Sequence, residues 1–162
     1  MATLGSSSLE VFPLVLGTNN FGWTSSPEES HRMLDAFVAS GGNFLDTADV
    51  YSAWVPGHRG GESESVIGDW LAARGNRADV LVATKGSAHP EFTGLRPETI
   101  TSAAEESLRR LRTDHRTRPT VTAPIAGASS VAEGLLASTT LELAEQHRQR
   151  LDSASDLFAA SR

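Results

Sequence analysis

Three residues in this sequence have types and spacing that could move a proton. Asp46 interrupts an otherwise apolar run over 43–48 (NFLDTA), and Lys85 closes another over 79–85 (DVLVATK). A buried charge needs a partner, so the simplest arrangement pairs Asp46 with Lys85 across neighbouring strands. Tyr51, the only tyrosine in the chain, stands five residues after Asp46. A cation beside a phenol favours the phenolate, and a carboxylate would hold that cation in place. Such a trio makes a tyrosine a usable proton donor near neutral pH. The plain alternative is that Tyr51 is a half-buried aromatic residue with no chemical task.

A trio of this kind needs elements that bring distant segments to one edge. Residues 11–16 are apolar and run into Gly17-Thr18, which reads as a buried strand. Ser26, Pro27 and Glu29 predict a capped helix start; Met33, Phe37 and Val38 share one face of that helix, and Gly41-Gly42 stops it. Residues 43–48 read as a second strand. A Gly-rich loop over 55–61 leads to a helix over 62–74, with Val66, Ile67, Trp70 and Leu71 at helical spacing and Gly75-Asn76 at its end. Residues 79–85 read as a third strand, rich in Val and Leu as expected when helices cover both faces. Pro97 opens a helix with the stripe Ile100, Ala103, Ala104, Leu108 and Leu111. The pattern breaks after Asp114. It resumes as a strand over 121–127 (VTAPIAG), a capping box at Ser130 and Glu133, and a helix over 141–151.

Four strand–helix units in alternation predict an α/β fold with parallel strands. Polar residues mark the C-terminal ends of all four strands: Thr18 with Asn19, Asp46, Lys85, and Ser129 with Ser130. Ligands of parallel α/β folds bind at that edge.

Composition narrows the chemistry. The formal net charge of −6 argues against a nucleic-acid or anionic-membrane partner. The chain has no cysteine, which excludes disulfides, thiolate catalysis and Cys-ligated zinc, and no metal centre is expected. Residues 1–10 have neither a basic start nor an apolar core, and no apolar run approaches the ~20 residues of a membrane span, so a cytoplasmic protein is expected.

The stretches Asp46-Thr47-Ala48-Asp49-Val50-Tyr51, Gly61-Glu62-Ser63-Glu64 with Ile67-Gly68, and Val82-Ala83-Thr84-Lys85 resemble the aldo-keto reductase superfamily. Leu16-Gly17-Thr18 with Phe21-Gly22 resembles that family's first strand. Ser107-Leu108-Arg109-Arg110-Leu111 resembles its third barrel helix, and Pro124-Ile125-Ala126-Gly127-Ala128-Ser129-Ser130 its last strand and cofactor loop. The resemblance implies a (β/α)8 TIM barrel, here partial with about four strand–helix units, that binds NADPH. It implies hydride transfer to an aldehyde or ketone, with Tyr51 as general acid tuned by Lys85 and Asp46. Gly17, Thr18, Asn19 and Asp46 would be cofactor-binding positions beside the nicotinamide. Gly127, Ser129 and Ser130 would meet the adenosine-side phosphate at a helix N-terminus. Ser129 and Ser130 serve equally well as plain helix caps.

The resemblance also implies a fourth strand carrying a catalytic histidine. Arg112-Thr113-Asp114-His115 matches the run-up to it, but residues 116–119 already resemble the approach to the last strand. Strands four to seven are therefore expected to be missing. The expectation is one domain over 1–162, with an N-terminal barrel half at 1–114 and the last strand, helix and tail at 119–162. A typical barrel of this class needs about 250 residues, and this chain has 162. None of the five histidines aligns with the catalytic one, although His58 and His89 fall in loops at the catalytic edge. Two functions stay open: an NADPH-dependent oxidoreductase acting on a small carbonyl substrate, or an inactive truncated remnant or nucleotide-binding module. Four parallel strands cannot close a barrel, so either an open layer or a homodimer of half-barrels is expected. Trp23 and Trp54 fall near the same edge, where they either line an apolar pocket or pack within loops.

Overall fold

A computed structural model describes residues 1–4 and 8–113. Pro13 has no amide hydrogen to give a ladder, and the apolar run at 11–16 is divided around it. Glu10–Val11 (β2) pairs antiparallel with Ala2–Thr3 (β1), while Leu16–Gly17 (β3) belongs to a separate sheet. The expected single first strand is thus corrected to two short ones. Asn43 stitches the join: its Oδ1 accepts from Phe12 N at 2.8 Å, and its Nδ2 donates to Glu10 O at 2.9 Å.

The main sheet holds β3, Phe44–Asp46 (β4) and Leu81–Ala83 (β5), parallel and in chain order. Gly17 stands opposite Asp46, and Asp46 opposite Ala83. Backbone bonds from Thr18 N to Asp46 O, Thr47 N to Ala83 O and Asp49 N to Lys85 O carry the pairing past the strand ends. A short 3-10 turn at Arg77–Asp79 shortens the expected third strand at its start. The helices Pro27–Ala39 (α1), Glu62–Arg74 (α2) and Pro97–Arg110 (α3) follow β3, β4 and β5 in turn. Three strand–helix units are therefore present among the described residues. The fourth, with Gly127, Ser129 and Ser130, lies outside them.

Local chemistry accounts for the helix limits. Ser26 Oγ accepts from Glu29 N, and the Glu29 carboxylate accepts from Ser26 N, which completes the expected capping box. Gly75 takes the left-handed conformation that ends α2, with φ of 64°. After α1, Gly42 leaves room for Phe37, since a Cβ there would lie 2.5 Å from the ring. Leu34 and Phe37 supply the core face of α1, while Met33 and Val38 are only half-buried.

α2 is the central helix. It packs against both α1 and α3, and it buries Val66, Ile67, Trp70 and Leu71 as expected. Burial of side chains this size stabilises by roughly 1.5–3 kcal/mol each. The Trp70 indole N–H donates to Asp35 Oδ1 at 2.8 Å, tying α2 to α1. On the other side α3 approaches so closely that a Cβ at Gly68 would sit 2.0 Å from Arg110 O. In α3, Ala103, Ser107 and Leu111 are buried, whereas Ile100 is 50% exposed, because packing begins one turn later than the apolar stripe. No helix among the described residues is long and apolar enough to cross a membrane.

Candidate active site

Strand alternation decides which side chains meet. Asp46 and Ala83 are register partners, so they share a face of the sheet, and Lys85, two residues on, returns to it. Lys85 Nζ donates to Asp46 Oδ1 at 2.8 Å and to Thr47 O at 2.5 Å. The Asp46 side chain is 7% exposed and that of Lys85 26%. The expected pair across neighbouring strands is formed. The Tyr51 hydroxyl donates to Asp46 Oδ2 at 3.4 Å, a long bond, and Lys85 Nζ lies 5.0 Å from the centre of the Tyr51 ring. Three side chains from two strand ends and one loop thus converge on one point.

The loop after β4 returns on itself through successive turns, with backbone bonds from Tyr51, Ala53, Val55 and His58 to the third residue before each. Ser52, fully buried, is held at φ of 72°, a conformation that costs about 1–3 kcal/mol for a side-chain-bearing residue. The coil brings Trp54 edge-on to Tyr51, with ring centroids 6.2 Å apart. Trp23 meets Trp54 at 5.7 Å. Both indoles are about half exposed, so an aromatic wall faces solvent beside the Tyr51 ring.

The other expected site residues are divided by burial. Thr18 is wholly buried: its hydroxyl donates to Asp46 O at 2.9 Å and meets Ser63 Oγ at 2.8 Å. That hydroxyl is committed within the protein. Gly17 is half-buried opposite Asp46, and Asn19 is exposed. Of the two loop histidines, His89 does not stand open to a substrate. It is 3% exposed, its ring lies 5.1 Å from that of Phe92, and its Nδ1 accepts from Glu91 N. His58 is half-buried, with Nδ1 enclosed and unpartnered among the described residues.

Several polar residues around the site were not singled out by sequence reasoning. Glu64 is fully buried on the first turn of α2, where it accepts from Thr84 Oγ1 at 2.5 Å and from Arg110 Nε at 2.7 Å. Its signal was present, since Glu64 shares the buried helical face with Ile67 and Leu71. Asp49 is 1% exposed, and neither carboxylate oxygen has a partner among the described residues. Burial pushes its carboxyl above the ordinary range and Glu64 adds to this, while His89 and Arg110 oppose it. The amide oxygen of Asn20 is likewise buried and unpartnered.

The profile of the aldo/keto reductase family matches residues 13–118. The chain belongs to the aldo/keto reductase family. It is 49% identical over 86 residues to an uncharacterised 11.2 kDa protein of Pseudescherichia vulneris, covering 52% of this chain and 84% of that one. It is 36% identical over 128 residues to an aryl-alcohol dehydrogenase [NADP(+)] of Phanerodontia chrysosporium, covering 66% of this chain and 31% of the relative. Among solved structures, the holo form of an aldo-keto reductase from Bacillus halodurans superposes with a TM-score of 0.57 at 32% identity. The match covers 70% of this chain and 37% of that one. This family member thus spans about a third of the length of the full-size reductases it matches.

Proposed function

We propose that this chain carries the proton-donating half of an NADPH-dependent reductase that converts an aldehyde or ketone to an alcohol. The observation that carries this reading is the convergence of Tyr51 and Lys85 on the two oxygens of Asp46. When bound, NADPH would supply the hydride. Tyr51 would hold its proton toward the carbonyl oxygen and release it as negative charge develops there. The Lys85 ammonium over the ring would stabilise the resulting phenolate, and Asp46 would keep that ammonium in place.

The residues present fit the nicotinamide end. Asn19 is exposed two residues after Gly17, the register partner of Asp46, so its amide is available to a polar ring substituent. Thr18 would act only through the backbone it holds. The residues proposed for the adenosine-side phosphate, Gly127, Ser129 and Ser130, lie outside the described ones. Trp23 and Trp54 offer an aromatic substrate a flat apolar wall, and the relationship to an aryl-alcohol dehydrogenase supports that class. A cytoplasmic location suits a reaction that draws on NADPH.

The reading is tested by titrating the protein with NADPH, following tryptophan fluorescence, and then assaying reduction of aromatic aldehydes. Tyr51→Phe should lower turnover by about 10²–10⁴-fold while leaving the fold and the NADPH affinity unchanged. Binding of NADPH without turnover, indifferent to Tyr51, would leave a nucleotide-binding module. No binding would sink both.

A further inference from the structure

The residue after each strand of the main sheet is a threonine: Thr18 after β3, Thr47 after β4 and Thr84 after β5. Gly17, Asp46 and Ala83 are in register. The threonines therefore form one row across the sheet, on the face opposite Asp46 and Lys85. The first turn of α2 collects the whole row. Ser63 Oγ meets Thr18 Oγ1 at 2.8 Å and Thr47 Oγ1 at 3.0 Å, and it donates to Thr18 O at 2.8 Å. With Thr18 donating to Asp46 O, every hydroxyl is satisfied when Thr47 donates to Ser63 and Ser63 to Thr18. Glu64 takes the Thr84 hydroxyl on one oxygen and Arg110 on the other.

We propose that Ser63 and Glu64 are positioning residues for the Asp46–Lys85 pair, clasping the threonine row so that both charges emerge on the opposite face. The proposal rests on the reductase reading for its purpose, though not for its geometry. Thr84 and Lys85 are consecutive, so they point to opposite faces. A slip of one residue at the end of β5 would turn the ammonium toward α2 and leave the threonine facing Asp46. β5 is half-exposed along its length, so its own apolar packing specifies register only weakly. The bond from Thr84 to a buried carboxylate is charge-assisted and directional, and it acts one residue before Lys85. The bond from Asp49 N to Lys85 O then fixes the backbone one residue after Thr84. Asp46 is held in the same way, through the Thr18 hydroxyl on its carbonyl and the bond from Thr47 to Ser63.

The chain itself provides the readout. Lys85 is its only lysine, so acylation by an amine reagent, measured by mass spectrometry on the peptide containing Lys85, reports how firmly Nζ is held. No cofactor or substrate is needed. Thr84→Val keeps the shape and removes the hydroxyl, and it should raise the labelling rate about tenfold or more, the factor for one hydrogen bond to a charged group, at temperatures well below its melt. Thr84→Ser keeps the hydroxyl and should label at the parent rate. Parent-like labelling of a folded Thr84→Val protein overturns the proposal. So does a rise in Thr84→Ser, which would assign the effect to the methyl group; this arm decides the matter even where Thr84→Val fails to fold. NADPH titration of the parent is scored separately: a chain that shows the Thr84→Val effect yet binds no NADPH keeps the clasp and loses the reductase reading.

Discussion

Glu64 Oε2 lies 2.7 Å from Arg110 Nε, and the two side chains are 0% and 10% exposed. The pair joins the start of α2 to the end of α3 beneath the row of strand ends. Removing one partner of a buried pair leaves an uncompensated charge, a larger effect than the pair's own net worth. Arg110→Met should therefore destabilise the protein by about 3–5 kcal/mol in a urea titration. Replacing both partners with apolar residues, Glu64→Leu with Arg110→Met, should recover much of that loss.

The closeness of α2 and α3 predicts an unusual response at Gly68. In an exposed helix, alanine is favoured over glycine by about 1 kcal/mol. Here the new methyl would meet Arg110 O at 2.0 Å, and backbone cannot swing aside as a flexible side chain can. Gly68→Ala should thus destabilise by about 1–3 kcal/mol, the scale of overpacking. A melting temperature at or above the parent's would show that α3 can move away freely.

Acid should release the tie between α1 and α2. The hydrogen bond from Arg74, then that from Trp70, holds the Asp35 carboxyl down to about 2, from an ordinary value of 3.8. A group lowered in the folded state contributes stability above its unfolded value, and that contribution fades as pH falls from about 4 toward 2. Asp35 and Arg74 are 41% and 45% exposed, so the effect is modest and weakens with salt. Asp35→Asn should flatten the acid limb of the stability profile within that window. An unchanged limb would mean that the pair contributes nothing in solution.

Asp49 should behave in the opposite sense. Its carboxyl is raised by burial, so between the ordinary carboxylate value and its own the folded state binds more protons than the unfolded chain. Stability on its account falls as pH rises through that interval. Asp49→Asn removes the ionisation and should stabilise the protein at neutral pH, with no gain below about 3.8. Thermal melts at the two pH values check this, and an equal loss at both would assign Asp49 a purely packing role.

Much of the scaffold could be read from local signals. The limits of α2 and the capping box at Ser26 follow from side chains within a turn of each helix end. The Asp46–Lys85 pair followed from two charges placed in apolar strands, which must find each other. The N-terminal hairpin escaped the reading because its strands are two residues long, too short for any periodicity. Ile100 was misassigned because an apolar stripe shows which face of α3 turns inward and not where along the helix packing begins. His89 falls in a loop at the catalytic edge and yet is buried, because a loop position says nothing about which rings close over it.

By itself the sequence determined which residues stand at the strand ends and how the helices that follow are capped, since both depend on contacts within a few residues. Only the tertiary structure decided the division of labour among them. Thr84 and Lys85 are neighbours in the chain, yet one is bound to α2 and the other to Asp46. That separation depends on the pairing of β5 with β4, and Asp46 lies 39 residues from Lys85. Side chains alternate every residue along a strand, so the face each one reaches is set by register with a distant partner, which no local pattern encodes.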